Sequence, residues 1–149
     1  MRAYFDHEKL DAYRLELALI AWLTPLLANV KQAGATKRTA EVIDQLHRAT
    51  LSALLNSAEG IGRRQRQTRS KFFDAARGSA TECAACLDAL VAKTLSSAEE
   101  VAEGKELLLR IISMLTKLID RFDQRLNEEE GRYAPEDDEE NDNDKGKTL

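Results

Sequence analysis

The sequence predicts an all-α chain that folds as an antiparallel, up-down four-helix bundle. Three observations carry that expectation. Ala, Leu, Glu, Lys and Arg dominate, and these residues lose little side-chain freedom in a helix. Apolar residues recur at steps of three and four along four segments. No run rich in Val, Tyr or Trp alternates with period two, so strands have no place. At 149 residues, with 43% hydrophobic and 32% charged content, the chain has the length and balance of one water-facing domain.

The first helix is expected from about Asp6 towards Val30, with Leu10, Tyr13, Leu17, Ile20 and Leu27 on one apolar face. Pro25 lacks a backbone donor and should kink or end it, and Gly34 in "QAGATKR" marks the connection. The second helix is expected from about Thr39 to Glu59. Ile43, Leu46, Thr50, Ala53, Leu54 and Ser57 form its face, and Gly60 its stop, since glycine takes the left-handed conformation without a clash. The third is expected from about Thr68 to Leu95, capped by Thr68 or Ser70, with Phe72, Ala76, Ser79, Cys83, Leu87 and Leu90 facing inward. Its many small residues allow close approach by a neighbour. The fourth opens on a capping-box pattern, Ser97 with Glu100, and carries Leu107, Leu108, Ile111, Ile112, Met114, Leu115, Leu118, Ile119, Phe122 and Leu126. Its apolar surface is wide enough to face both its own core and a second subunit.

Charge divides the chain. Residues 127–149 carry −7, with ten acids, whereas residues 1–126 carry +3. Such an acidic block cannot bury apolar surface, so the expected organisation is a four-helix bundle over 1–126 and a disordered acidic tail over 127–149, serving either to solubilise the chain or to compete for a basic patch. The polar N-terminal decade is unlike a signal peptide, and the apolar stretch 15–30 is broken by Glu16, Thr24, Pro25 and Asn29, short of the roughly 20 apolar residues of a membrane span. With two cysteines as well, a reduced, cytoplasmic setting without membrane partners is expected.

Enzyme chemistry finds little material. "CAAC", Cys83 to Cys86, has redox spacing but lies mid-helix without a second ligand pair, so buried apolar cysteines are the expected reading. Asp44 and His47 share a helical face, yet a di-metal bundle needs two such pairs, and His7 has no counterpart. "EGIGRR" lacks the strand, the Gly-Lys-Ser/Thr of a phosphate loop and the third glycine of a dinucleotide fingerprint. No catalytic residue, metal or cofactor is therefore expected.

Two constellations remain. Arg63, Arg64, Arg66, Arg69, Lys71 and Arg77 meet a single acid, Asp74, between residues 60 and 77. Guanidinium forks suit backbone phosphates, and no aromatic residue sits among the arginines to stack on bases. The alternatives are a solvated basic corner or pairing with the acidic tail. Separately, Gln45, Arg48, Ser52, Asn56 and Glu59 share a stripe on the second helix, and Ser79 and Glu82 lie on the third. That set reads as a polar network pinning the two helices.

The pattern of Gln45, Arg48, Ala49, Ser52, Asn56, Ala58, Glu59, Gly60, Gly62 and Arg63, followed by Phe73, Ala76, Gly78, Ser79 and Glu82, resembles the 23S rRNA intervening-sequence family of four-helix-bundle proteins. The resemblance covers about residues 5–122. It implies a homopentameric, ring-shaped assembly. It also implies kinship with the accessory variability protein of diversity-generating retroelements, which binds nucleic acid through a basic surface and partners a reverse transcriptase. The segment from Thr24 to Asp44 is longer than the family's usual connection, and the acidic tail is additional. The functional expectation is a non-enzymatic oligomeric scaffold that contacts nucleic acid, a nucleoprotein or a reverse transcriptase-like partner through the basic corner. The alternative is a protein–protein assembly module with no nucleic-acid role.

Overall fold

The computed structural model describes residues 2–34 and 36–133. A short 3-10 turn, Asp6–Lys9, precedes four helices: α1 (Asp11–Gln32), α2 (Lys37–Gly62), α3 (Arg66–Ala92) and α4 (Ala98–Tyr133). There is no strand among the described residues. α1 packs on α2 and α4, α3 packs on α2 and α4, and neither diagonal pair makes a close backbone approach. Residue pairs along each seam run in opposite senses. Gln45 meets Glu82 and Ser52 meets Ser79 across α2–α3. Arg66 meets Glu129, Ser70 meets Asp123, Arg77 meets Thr116 and Lys105 meets Asp88 across α3–α4. The four-helix bundle is thus antiparallel and closed.

Burial explains which faces turn inward. Leu46, Phe73, Leu87, Leu90, Leu108, Ile111 and Leu115 are among the largest fully buried side chains, and the Phe73 and Phe122 rings stack with centroids 5.9 Å apart. On α2, all six residues read as the inner face are buried. On α1 the inner stripe is different from the expected one. Ala12, Glu16, Leu19, Leu23, Leu27 and Val30 are buried, whereas Leu17 is 44% exposed. This helix is apolar nearly all round, so two stripes fit helical periodicity, and the one that buries a carboxyl is the one used. On α3, Phe73 and Ala80 are buried in place of the expected Phe72 and Ser79, which are half-buried, while Ala76, Cys83, Leu87 and Leu90 are buried as expected.

The helix ends also differ from expectation. α1 starts only at Asp11, because Leu10 is extended (φ −77°, ψ 121°). Pro25 lies inside α1 and does not end it. Ala21, whose carbonyl loses its donor, is exposed, so solvent can take the vacant bond. Gly34 does adopt a positive φ of 118°, and Thr36 caps α2 by accepting from Thr39 N at 3.4 Å. Neither Thr68 nor Ser70 caps α3; Gln65 is its N-cap residue and makes no side-chain cap. α4 begins on the expected reciprocal cap, Ser97 N donating to Glu100 Oε1 at 3.2 Å and Glu100 N to Ser97 Oγ at 3.1 Å. It runs on through 127–133, so the boundary drawn at 126 falls within a helix. The tail expectation for residues 134–149 lies outside the described residues.

α3 ends at Ala92 in a Schellman turn. Thr94 N donates to Val91 O at 3.0 Å and Leu95 N to Leu90 O at 2.9 Å, with Thr94 at φ 58°. A β-branched residue is strained in that conformation. Thr94→Gly is expected to raise stability by about 1 kcal/mol, read as a higher midpoint in urea with an unchanged slope.

Candidate functional site

The basic corner is built where α2 turns into α3, at residues 63–65. Gly60, expected to stop α2, lies two residues inside it. A Cβ there would fall 2.9 Å from Phe73 Cε1, so glycine is required because the Phe73 ring lies against the α2 backbone. Gly62 ends the helix with open space around it. The corner is then closed by Arg69, whose guanidinium donates from Nε to the Arg63 carbonyl and from Nη2 to the Ile61 carbonyl at 3.5 Å. A cation that satisfies the last carbonyls of a helix also complements its dipole.

Most of the other cations are also engaged. Arg63 Nη2 pairs with Glu59 Oε2 at 3.0 Å, and its guanidinium lies 5.1 Å over the Phe72 ring. Arg66 pairs with Glu129 of α4. Arg77 Nη2 pairs with Asp74 Oδ1 at 2.6 Å, and its Nη1 reaches Thr116 Oγ1 at 3.4 Å. Arg64 and Lys71 are exposed and make no ion pair among the described residues. Lys71 borders an open groove of about 420 Å³ between α3 and α4, with Asp74 on its own wall and Asp123 on the α4 wall. Five of the six bases therefore lie at or near one end of the α2–α3 pair, whereas Arg77 lies near the middle of α3; Arg63, Arg64 and Lys71 are exposed, Arg69 is half-buried on the α2 carbonyls, and Arg66 and Arg77 lean onto α4.

The polar stripe joins α2 to α3. The Gln45 side-chain amide donates to Glu82, the Ser52 and Ser79 hydroxyls are 2.9 Å apart, and Asn56 Nδ2 donates to Ser52 O at 2.8 Å. Glu59 points instead to Arg63. Arg48 makes no side-chain hydrogen bond among the described residues. It lines an open groove of about 540 Å³ with Arg38, Glu41, Glu82, Cys86 and Lys93. Gly78 is exposed, with nothing within 4 Å of where its Cβ would be, so its small size serves no contact inside the chain.

One polar site was not singled out from the sequence. Glu16, 1% exposed, accepts a hydrogen bond from the fully buried Ser57 at 2.7 Å, and its Oε2 has no protein partner. Burial pushes its carboxyl up from 4.5 to about 8, against a smaller downward pull from Ser57. The available signal was its spacing: Glu16 lies four residues after Ala12 and three before Leu19, on their stripe.

The cysteines are both free. Burial lifts the Cys83 thiol to about 12 and also raises that of Cys86. Both shifts disfavour the nucleophilic thiolate. No group of three or more His, Cys, Asp or Glu residues among those described could hold a metal ion, and no described helix is long and apolar enough to cross a membrane.

A comparison with curated proteins returned no match. Residues 9–117 match the family described as 23S rRNA-intervening sequence protein. The matched segment includes all of α1, α2 and α3 and the first half of α4. With the four-helix bundle and the α2–α3 motif in place, the chain belongs to the 23S rRNA-intervening sequence protein family.

Proposed function

We propose that the protein is a non-enzymatic helical scaffold that contacts the phosphate backbone of a nucleic acid through the corner between α2 and α3. The observation that carries this reading is the placement of Arg64 and Lys71. They are exposed and unpaired among the described residues, beside Arg63 and Arg69 at a rigidly closed helix corner. Cations held on rigid elements with accessible donors suit phosphate, whose contacts fix position without reading sequence. Of the rings at the corner, Phe72 lies under Arg63 and Phe73 is buried, which favours backbone contact over base stacking. The test is fluorescence anisotropy with a labelled 20-base-pair RNA duplex at 50 mM salt. Arg64→Glu/Lys71→Glu is expected to weaken binding at least tenfold while leaving helicity unchanged. Equal affinity of the two proteins would sink the reading.

A second reading, assembly through protein contacts, is favoured by a different observation. Leu51 and Leu55 are 50% and 54% exposed one helical turn apart on α2, and Leu109 is 67% exposed on α4. With the open backbone at Gly78, they offer apolar and close-packing surface to further copies of the chain. The family resemblance makes a homopentamer the assembly to look for. Light scattering is the check, and a monomeric mass that does not change with concentration would refute it. Leu55 lines one open pocket with Glu59, Gly62 and Arg63, so the apolar α2 surface borders the corner.

A further inference from the structure

The segment ahead of α1 carries chemistry that the bundle core does not use. Tyr4 is 78% exposed and Phe5 64% exposed, although both are large side chains whose burial would stabilise the fold. The Phe5 ring stacks on His7 with centroids 5.7 Å apart and planes 8° from parallel, and His7 meets Tyr13 of α1 edge-on at 4.8 Å. This row of rings is anchored on α1 by the half-buried Tyr13 and ends in solvent at Phe5. The Asp6–Lys9 turn packs on α1 and α2, and Tyr4 N donates to Glu8 Oε2 at 2.7 Å, which ties the rings to that turn. Cations line two grooves next to the row. Arg2 and Arg14 line an open groove of about 310 Å³ with Tyr13 and Leu17; Glu8 is the single acid there, and its carboxylate already accepts from Tyr4 N. Lys9 lines a second groove of about 310 Å³ with Lys117 and Arg121 of α4, against the single acid Asp11. Arg2, Arg14, Lys117 and Arg121 are exposed and make no ion pair among the described residues.

We propose that Tyr4 and Phe5, with Arg2, Arg14, Lys117 and Arg121 beside them, form a binding site for single-stranded nucleic acid. Bases stack on exposed rings whatever their sequence, while guanidinium and ammonium groups follow the backbone phosphates. A duplex keeps its base faces stacked inside, and an acidic peptide would use the cations and leave the rings idle. The site is distinct from the α2–α3 corner and does not depend on phosphate contact there. The two stand at the same end of the bundle. The hydrogen bond from Ser57 to Glu16 fixes the α1–α2 register, and five residues from each towards that end reach Gly62 and Asp11.

The experiment compares two labelled twelve-nucleotide strands on the full chain by anisotropy at 50 mM salt: oligouridine, and a strand of the same backbone without bases. Wild type is expected to bind oligouridine about tenfold more tightly than the abasic strand, or better. Tyr4→Leu/Phe5→Leu keeps apolar bulk but presents no ring face, and should bring that ratio close to one with helicity unchanged. Tyr4→Phe/Phe5→Tyr should preserve it. Arg2→Ala/Arg14→Ala should weaken both strands alike. A wild-type ratio near one, a ratio that the leucine variant retains, or no binding to either strand would overturn the proposal. Arg64→Glu/Lys71→Glu should keep the ratio. Should that variant also bind the RNA duplex as wild type does, the result supports this site and counts against the corner alone.

Discussion

Replacing Glu16 by glutamine is expected to flatten the pH dependence of the bundle's stability. The Glu16 carboxyl is buried between α1 and α2, and its proton affinity rises from 4.5 to about 8 in the folded chain. For an acid raised in this way, the folded state holds the proton more tightly than the unfolded one. The stability from the neutral carboxyl is therefore fully present below about pH 4.5, falls progressively between 4.5 and 8, and is gone above 8. At about 1.4 kcal/mol per pH unit, the loss over that window is on the order of 5 kcal/mol. That is a large share of the 5–15 kcal/mol typical of a domain. Glutamine keeps the oxygen that accepts from Ser57 but cannot ionise. It also leaves an amide group without a protein partner, costing about 1–3 kcal/mol. Two curves of thermal midpoint against pH should therefore cross. Wild type is more stable near pH 5, and Glu16→Gln is more stable near pH 9. Parallel curves would show that Glu16 does not titrate in this window. Cys83, the other raised group in the same core, stays protonated throughout it, near 12.

The second large effect lies at the α1–α4 seam. Gly104 is buried in α4, and a Cβ there would come within 2.5 Å of Trp22 Cη2. In an exposed helix, Gly→Ala gains about 1 kcal/mol from propensity. Here the gain is outweighed, because the added carbon must displace a rigid ring wedged between two helices, at roughly 1–3 kcal/mol or more. Gly104→Ala is expected to lower stability by about 2 kcal/mol, read as a lower urea midpoint. Trp22→Leu opens the space, so the same substitution in that background should be neutral or stabilising. An equal loss in both backgrounds would show that the cost lies elsewhere in α4.

Much of this was legible in the sequence, for identifiable reasons. The inner face of α2 follows from periodicity, with Ile43, Leu46, Ala53 and Leu54 recurring at helical spacing, although Leu51 and Leu55 lie outside it. The α4 start follows from Ser97 and Glu100, a local device that needs no tertiary information. α1 was harder: its wrong stripe contained Leu17, and its right one contained Glu16, which sequence reasoning treats as an interruption. Gly60 illustrates a different limit. A glycine near a helix end suggests a left-handed stop, yet its reason is the Phe73 ring of the next helix, a contact invisible in the sequence. The candidate site was legible as a cluster of six bases, but not in its division of labour. Arg69 serves the α2 carbonyls, and Arg66 and Arg77 serve α4. These roles depend on which turn each side chain occupies once the corner has formed.

The most direct test of the phosphate-contact reading is the salt dependence of binding to the RNA duplex, measured between 50 and 300 mM salt for wild type and Arg64→Glu/Lys71→Glu. Each phosphate contact contributes a slope of about −0.9 in log affinity against log salt on B-DNA duplexes, and a value of similar size is expected here. Wild type is expected to show a slope near −3 to −4, and the double variant a slope shallower by about 2. A wild-type slope near zero, or one that the substitutions leave unchanged, would contradict the account.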